Sequence, residues 1–304
     1  MNGSGLPVTM VNACLREGLG GSPTAVLDET PLSDDERRDV PVLAGTSHAV
    51  FISASGGERN GADVSLRFFT AEGELPACGH GTVAALAVLA ERAGQSECQV
   101  TLSAAGRIFT GRVVRENSHF DAVFDPGSVG LREPAASEHG AVLRALGVTS
   151  DTLAPGMCVA SLGRPRLLVP VTTRAALTGL VPDFGALREA CDRLGLLGCY
   201  VHSVPTADAR VAARMFAPSI GVPEDIANAN STACLAAHLA RQGMTGITVD
   251  MGDSLGTPSA ITAVARCSGA GPLVHVGGTA RVVRVLRLQH ADMSATADRK
   301  RPNW

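Results

Sequence analysis

Thr82–Ala90 reads TVAALAVLA, and Thr232–Ala240 reads TACLAAHLA. Thr82, Ala87, Leu89 and Ala90 have identical partners at Thr232, Ala237, Leu239 and Ala240, all at an offset of 150. Both stretches are apolar almost all round, and a helix without a polar face is one buried on every side. The flanks repeat as well. Upstream, Arg67-Phe68-Phe69-Thr70 and Arg214-Met215-Phe216-Ala217 are short β-type runs ending in turn regions, Ala71–Pro76 and Pro218–Pro223. Downstream, Gly94 and Gly243 are placed to close the helices as C′ residues. β-Type segments follow at Gln99–Ser103 and Ile247–Asp250. Two unrelated Ala/Leu-rich helices would not share that order of strand, turn, apolar helix, glycine and strand. The reading is an internal duplication.

Pro7–Val11, Ala49–Ser53, Val64–Phe68, Leu167–Val171 and Thr279–Leu286 read as further short strands between Gly, Pro and Ser turns. Many strands around one central helix, built twice, predict an α+β fold. Its two pseudo-symmetric domains are each a curved, mostly antiparallel sheet or partial barrel around a helix. Turn residues at Asp125-Pro126-Gly127-Ser128 mark the boundary. The expected domains are 1–126 and 127–288, with the strand at 279–286 able to return to the first. Residues 289–304 are polar and aperiodic, and read as a disordered tail.

A chain of 304 residues, 45% hydrophobic, is long enough for two cores. A net charge of −3 offers no electrostatic footprint for nucleic acid. No apolar run reaches membrane-spanning length without a charge or turn residue. Met1–Pro7 lacks a basic n-region, so no signal peptide is expected. None of the 8 cysteines forms a C-x-x-C pair, and no histidines accompany them at zinc-finger spacing. No metal site is therefore expected, and free thiols in a reducing cytoplasm are. Tyr200 and Trp304 are the only Tyr and Trp, which disfavours stacking of a large flat cofactor.

Each repeat helix starts just after chemically capable residues. The first start is Glu74-Leu75-Pro76-Ala77-Cys78-Gly79-His80-Gly81-Thr82; the second is Glu224-Asp225-Ile226-Ala227-Asn228-Ala229-Asn230-Ser231-Thr232. A helix N-terminus carries partial positive charge and unpaired N–H groups. Gly79 and Gly81 leave that backbone open to close approach. Two such ends facing each other across a pseudo-two-fold would form a donor-rich pocket for a small carboxylate. A delocalised anion formed beside that carboxylate would be stabilised there too. Asn228, Asn230, Ser231 and Thr232 can equally be ordinary N-caps.

At these residues the chain resembles a known family. Arg67-Phe68-Phe69-Thr70 with Glu74-Leu75-Pro76 and Gly79-His80 is similar to the R-x-F-T…E-L-P-x-x-G-H signature of PhzF-like proteins. Arg214–Pro218 with Gly221–Asp225 resembles their second-half signature. Gly20–Val26, Met251–Ser259 and Val274–Arg281 resemble further family segments, in order, over nearly the whole chain. The resemblance implies a diaminopimelate-epimerase-like fold and isomerisation or epimerisation of small amino or hydroxy acids without a cofactor. It also implies a place in secondary metabolism, such as antibiotic biosynthesis, and a homodimer.

One departure bears on mechanism. The family's catalytic glutamate sits in a segment like N-L-S-E-T-A-F-V. The matching stretch is Ala44-Gly45-Thr46-Ser47-His48-Ala49-Val50-Phe51, with Ser47 where the glutamate belongs. A serine hydroxyl is no base until it is itself activated. The chain is then a non-catalytic ligand-binding homologue, or His48 takes over, or another cleft group supplies the base. Cys78-Gly79-His80-Gly81 resembles the C-G-N-G or C-G-H-x segment of diaminopimelate epimerase and proline racemase, where the thiol transfers a proton. A thiol at a helix start beside an imidazole is in a setting that favours thiolate. The second repeat has Asn228 at that place, which disfavours a symmetric two-thiol racemase. The expected catalytic residues are Cys78, His80 and Asp225. The expected binding residues are Ser47, His48, Gly79, Gly81, Thr82, Asn230, Ser231 and Thr232. The expected activity is a proton or double-bond shift on a small unsaturated or cyclic amino acid, with a cysteine-dependent epimerase or racemase as the alternative.

Overall fold

The computed structural model describes residues 5–54, 63–268 and 271–289. Its two central helices run over Gly79–Ala93 and Ala229–Ala240. Every residue from Gly79 to Val88 is buried, and so is every residue of the second helix except His238. Leu86 and Leu235 are fully enclosed, and each such side chain stabilises the fold by about 1.5–3 kcal/mol. Gly94, at φ 65°, caps the first helix in the left-handed conformation. The second helix ends on Arg241 in a right-handed conformation instead, so Gly243 is not its cap but belongs to the following turn.

The first half closes on itself. Leu6–Leu15 pairs with Ser22–Asp28, which runs parallel to His48–Ala54, and that strand pairs with Val64–Thr70. The central helix carries the chain across to Glu97–Ala104, parallel to Val64–Thr70. The antiparallel strands Arg107–Glu116 and His119–Phe124 follow. His119–Phe124 pairs with the middle of the long strand Gly271–Leu288, whose far part pairs with Leu6–Leu15. The result is a barrel around Gly79–Ala93.

The second half repeats the scheme around Ala229–Ala240. Gly130–Arg132, Cys158–Leu162, Arg164–Val171, Cys199–Ser203, Arg210–Ala217, Gly246–Met251 and Ser259–Ser268 lie side by side, ending on the near part of Gly271–Leu288. The parallel steps fall at corresponding places. Among the described residues Gly130–Arg132 pairs on one side only, so this half is a partial barrel. Residues 125–129 have no regular structure and lead from His119–Phe124 to Gly130–Arg132. The fold is thus α+β, with mostly antiparallel pairing in both halves. Helices Asp34–Ala44, Ala136–Leu146 and Phe184–Leu194 cover the outer faces of the sheets. Among the described residues no helix is long and apolar enough to cross a membrane. Of the expected tail, residues 290–304 lie outside the described residues.

Gly271–Leu288 belongs to both halves. Where it passes from one ladder to the other, a Cβ on Gly277 would lie 2.1 Å from the Ala122 carbonyl oxygen. Backbone crosses backbone there, and only glycine fits.

The duplication extends to side chains. The Arg67 guanidinium grips Glu74 with two bonds of 2.8 and 2.7 Å, and Arg214 grips Glu224 with bonds of 2.9 and 2.8 Å. Each arginine also lies over a phenylalanine two residues on, Phe69 at 5.0 Å and Phe216 at 4.8 Å. The pairs differ in burial. Glu74 is 41% exposed and Glu224 only 8%. Exposed pairs contribute at most about 1 kcal/mol, whereas breaking a buried pair costs about 3–5 kcal/mol. Glu74→Ala should therefore lower stability by less than about 1 kcal/mol, and Glu224→Ala by about 3 kcal/mol or more. Urea unfolding curves of the two variants check the difference.

Candidate active site

The two central helices meet at their N-terminal ends. A Cβ on Gly79 would lie 2.6 Å from the Ala229 side chain and 3.0 Å from the Asn230 amide nitrogen. The two ends therefore touch, and only a residue without a side chain allows it. Gly79→Ala should push them apart and cost about 1–3 kcal/mol, as overpacking usually does. A thermal melt of that variant, beside the milder Gly94→Asn, tests the point.

A cavity of about 250 Å³ opens beside this contact. It is small for a ligand site and suits an amino acid rather than a large cofactor. Its lining includes Cys78, Gly79, His80 and His48 from the first half, and Asp225, Asn228, Asn230 and Arg166 from the second. Of the other expected binding residues, Gly81, Thr82, Ser231 and Thr232 are buried outside that lining and Ser47 is exposed. Thr82 Oγ1 donates to the Cys78 carbonyl at 2.9 Å, and Thr232 Oγ1 to the Asn228 carbonyl at 3.1 Å, the same turn-back bond in both repeats. Ser231 N–H donates to Asn228 Oδ1 at 2.9 Å, so Asn228 is the N-cap of the second helix. Cys78 holds the matching place on the first helix and makes no side-chain cap. The first-turn amides of Gly79, His80 and Gly81 thus have no capping side chain.

Cys78 and His80 lie close together on this turn. Sγ is 3.6 Å from His80 Nε2, and both residues are buried. His80 Nδ1 lies 2.8 Å from the Ala227 carbonyl of the other half. A carbonyl can only accept, so Nδ1 carries the hydrogen and Nε2 faces the thiol. Burial alone would push the imidazole down. The charges of Cys78 and Asp225, and the bonds to Cys78 and the Ala227 carbonyl, outweigh it and raise His80 to about 9. The His48 ring stands edge-on to His80, with centroids 4.5 Å apart. Burial, reinforced by the neighbouring His80, holds His48 well below the usual histidine range. His48 Nδ1 is paired with Ser47 Oγ at 2.9 Å.

Asp225 is buried, and burial pushes its carboxyl above the usual range. The charge of His80, Asn228 Nδ2 at 2.9 Å and the Ala227 and Ile226 amides pull it part of the way back. Sequence reasoning missed two residues. Arg166 is 2% exposed and donates to Ser231 Oγ at 3.0 Å and to the carbonyls of Leu162 and Arg164. No carboxylate pairs with it among the described residues, and its Nε has no partner. A buried charge without a counter-ion is costly, and burial of one arginine in a strand cannot be read from spacing. Cys14 is fully buried at φ 64°, an unusual backbone conformation for a cysteine. Burial raises its thiol, and the charges of Asp225 and Cys78 raise it further, which sets it behind the same site.

Residues 11–285 match the model of the PhzC-PhzF family of phenazine biosynthesis-like proteins. An uncharacterized isomerase of Deinococcus radiodurans is 30% identical, over 88% of this chain and 89% of that one. The trans-2,3-dihydro-3-hydroxyanthranilate isomerase of Pseudomonas fluorescens is 27% identical, over 84% and 89%. A PhzF-family phenazine biosynthesis protein of Bacillus anthracis superposes with a TM-score of 0.79 at 18% identity, over 93% and 99%. With this match spanning both halves and the cleft between them, the chain belongs to the PhzC-PhzF, phenazine biosynthesis-like family, and it is an isomerase.

Proposed function

We propose that this isomerase shifts a proton, and with it a double bond, on a small unsaturated or cyclic amino acid, without a cofactor. The observation that carries the reading is the convergence of the Cys78 thiol, the His80 imidazole and the Asp225 carboxyl on one small cavity between two helix N-termini. In this reading the substrate carboxylate lies against the uncapped first turn and the uncompensated charge of Arg166. Cys78 takes a proton from one carbon. The electron pair spreads towards the carboxylate, where helix-end amides stabilise it. His80 returns a proton through Nε2 to another carbon of the conjugated system. The same number of protons leaves and arrives, so no redox partner is needed. Asp225 holds the substrate amine or relays the proton. Ser47 and His48 line and support the place vacated by the family glutamate.

The position of the two proton carriers favours a shift over an inversion. An epimerase needs acid and base on opposite faces of one carbon. Sγ and Nε2, 3.6 Å apart on one helical turn, address a substrate from the same side. A family relative acts on trans-2,3-dihydro-3-hydroxyanthranilate, and a secondary-metabolite pathway, such as one to an antibiotic, would supply a comparable substrate here. A homodimer in the cytoplasm fits this reading.

Dihydroaromatic amino acids incubated in D₂O and followed by NMR give the test. A moved alkene with deuterium at the new carbon is expected; an inverted Cα with the alkene in place would mean epimerisation. Cys78→Ser should lower kcat by about 100-fold or more, the usual contribution of a proton-transfer group. Unchanged turnover in Cys78→Ser, His80→Ala and Asp225→Ala would sink the assignment and leave a binding protein. Arg166→Met should instead raise KM by about 10- to 100-fold, the equivalent of about 1.5–3 kcal/mol for a lost charge-assisted bond. Arg166→Lys should recover only part of it, because the planar fork is lost.

A further inference from the structure

The His48–Cys78–His80 cluster combines three side chains that the proton-transfer reading uses only in part. One ligand atom from each lies within 4.8 Å of the others, and all three residues are buried. Each imidazole has its Nδ1 engaged by an outer partner. His80 Nδ1 is tied to the Ala227 carbonyl at 2.8 Å, and His48 Nδ1 to Ser47 Oγ at 2.9 Å. Each ring is left with Nε2 as its free ligand atom. Metal-binding histidines are held this way, with the second nitrogen fixed by an outer partner. The sulfur–nitrogen distance within the first-helix turn also fits. Zn–S of about 2.3 Å and Zn–N of about 2.0–2.1 Å at a tetrahedral angle place sulfur and nitrogen about 3.6 Å apart. Cys78 Sγ and His80 Nε2 are 3.6 Å apart.

From this geometry we infer that His48, Cys78 and His80 form a binding site for a thiophilic divalent cation, Zn²⁺ being the natural occupant. One thiolate and two imidazoles suit zinc, and reject magnesium or calcium, which take oxygen ligands. Three protein ligands leave a fourth position for water or a substrate carboxylate. Binding displaces the thiol proton and any proton on Nε2 to solvent. A filled site occupies both proton carriers, so the metal-bound and proton-transferring states exclude each other. No spacing in the chain marks the site, because His48 opens one strand while Cys78 and His80 begin a helix. Ser47 and His48, where the family pattern has glutamate and threonine, are what complete it.

The test uses metal alone and needs no substrate, so its outcome is separate from that of the isomerase assay. The full chain, kept reduced with a phosphine, is titrated with Co²⁺ and then Zn²⁺. One cobalt per chain is expected, with a near-ultraviolet thiolate-to-cobalt band, tetrahedral visible bands, and displacement by one equivalent of zinc. Cys78→Ser should lose the charge-transfer band. His48→Gln should weaken binding by about 100-fold or more, and Ser47→Ala by about 10-fold, in line with the 10- to 100-fold typical of outer partners. Thermal melts confirm that each variant is folded. Should Cys78→Ser fail to fold, the other two variants decide. A wild-type chain without the band, a Cys78→Ser variant that keeps it, or a His48→Gln variant of unchanged affinity overturns the site.

Discussion

The structure depends on two helices with no polar face, which must be wrapped on every side and whose N-terminal ends must meet. An apolar helix of this kind gains its stability only from enclosure, and strands are the cheapest enclosure because their backbone groups satisfy one another. Wrapping leaves just the helix ends open. In each half the chain enters its helix from the short strands Gly73–Leu75 and Val222–Asp225, so both open ends point to the centre of the molecule. Gly79 lets them come within contact distance. Cys78, His80 and Asp225 line the cavity there, where the fold exposes unpaired N–H groups.

The halves have diverged at the site more than in the scaffold. The arginine–glutamate grip and the turn-back threonine bond occur in both. At the helix start, however, Asn228 caps and Cys78 does not. One half therefore offers a filled N-terminus with a carboxyl group, and the other an open one with a thiol and an imidazole. Asymmetry of this kind suits the proposed shift of a proton from one carbon to another. It is also why a nearly symmetric frame need not bind a symmetric substrate.

The central helices, the flanking strands and the meeting of the helix starts were legible because all-round apolarity and a repeated order leave few ways to fold. The outer helices were less so. Asp34–Ala44 has a complete capping box from Ser33 and Glu36, a readable signal, but Pro41 within it argues against a helix. Gly243 looked like a helix end, yet Arg241 stops the helix first. At the cavity, the presence of Cys78, His80 and Asp225 in one lining was legible from their positions at the repeats. Arg166 and Cys14 were not, since partner and burial are properties of the folded arrangement. The pairing of His48 with Cys78 and His80 arises in the same way, from a strand and a helix start far apart in the chain.

The strand Gly271–Leu288 has a consequence for how the molecule comes apart. It is a structural member of both barrels, with Gly277 locked against Ala122 at the crossing. Neither half can shed its outer wall without breaking a hydrogen-bonded ladder of the other. Loss of order in one lobe thus disturbs a ladder of its twin, which couples the two despite the duplicated plan. The crevice gains from that coupling. Its two walls share a single continuous piece of backbone, which ties the groups that meet across it to one frame.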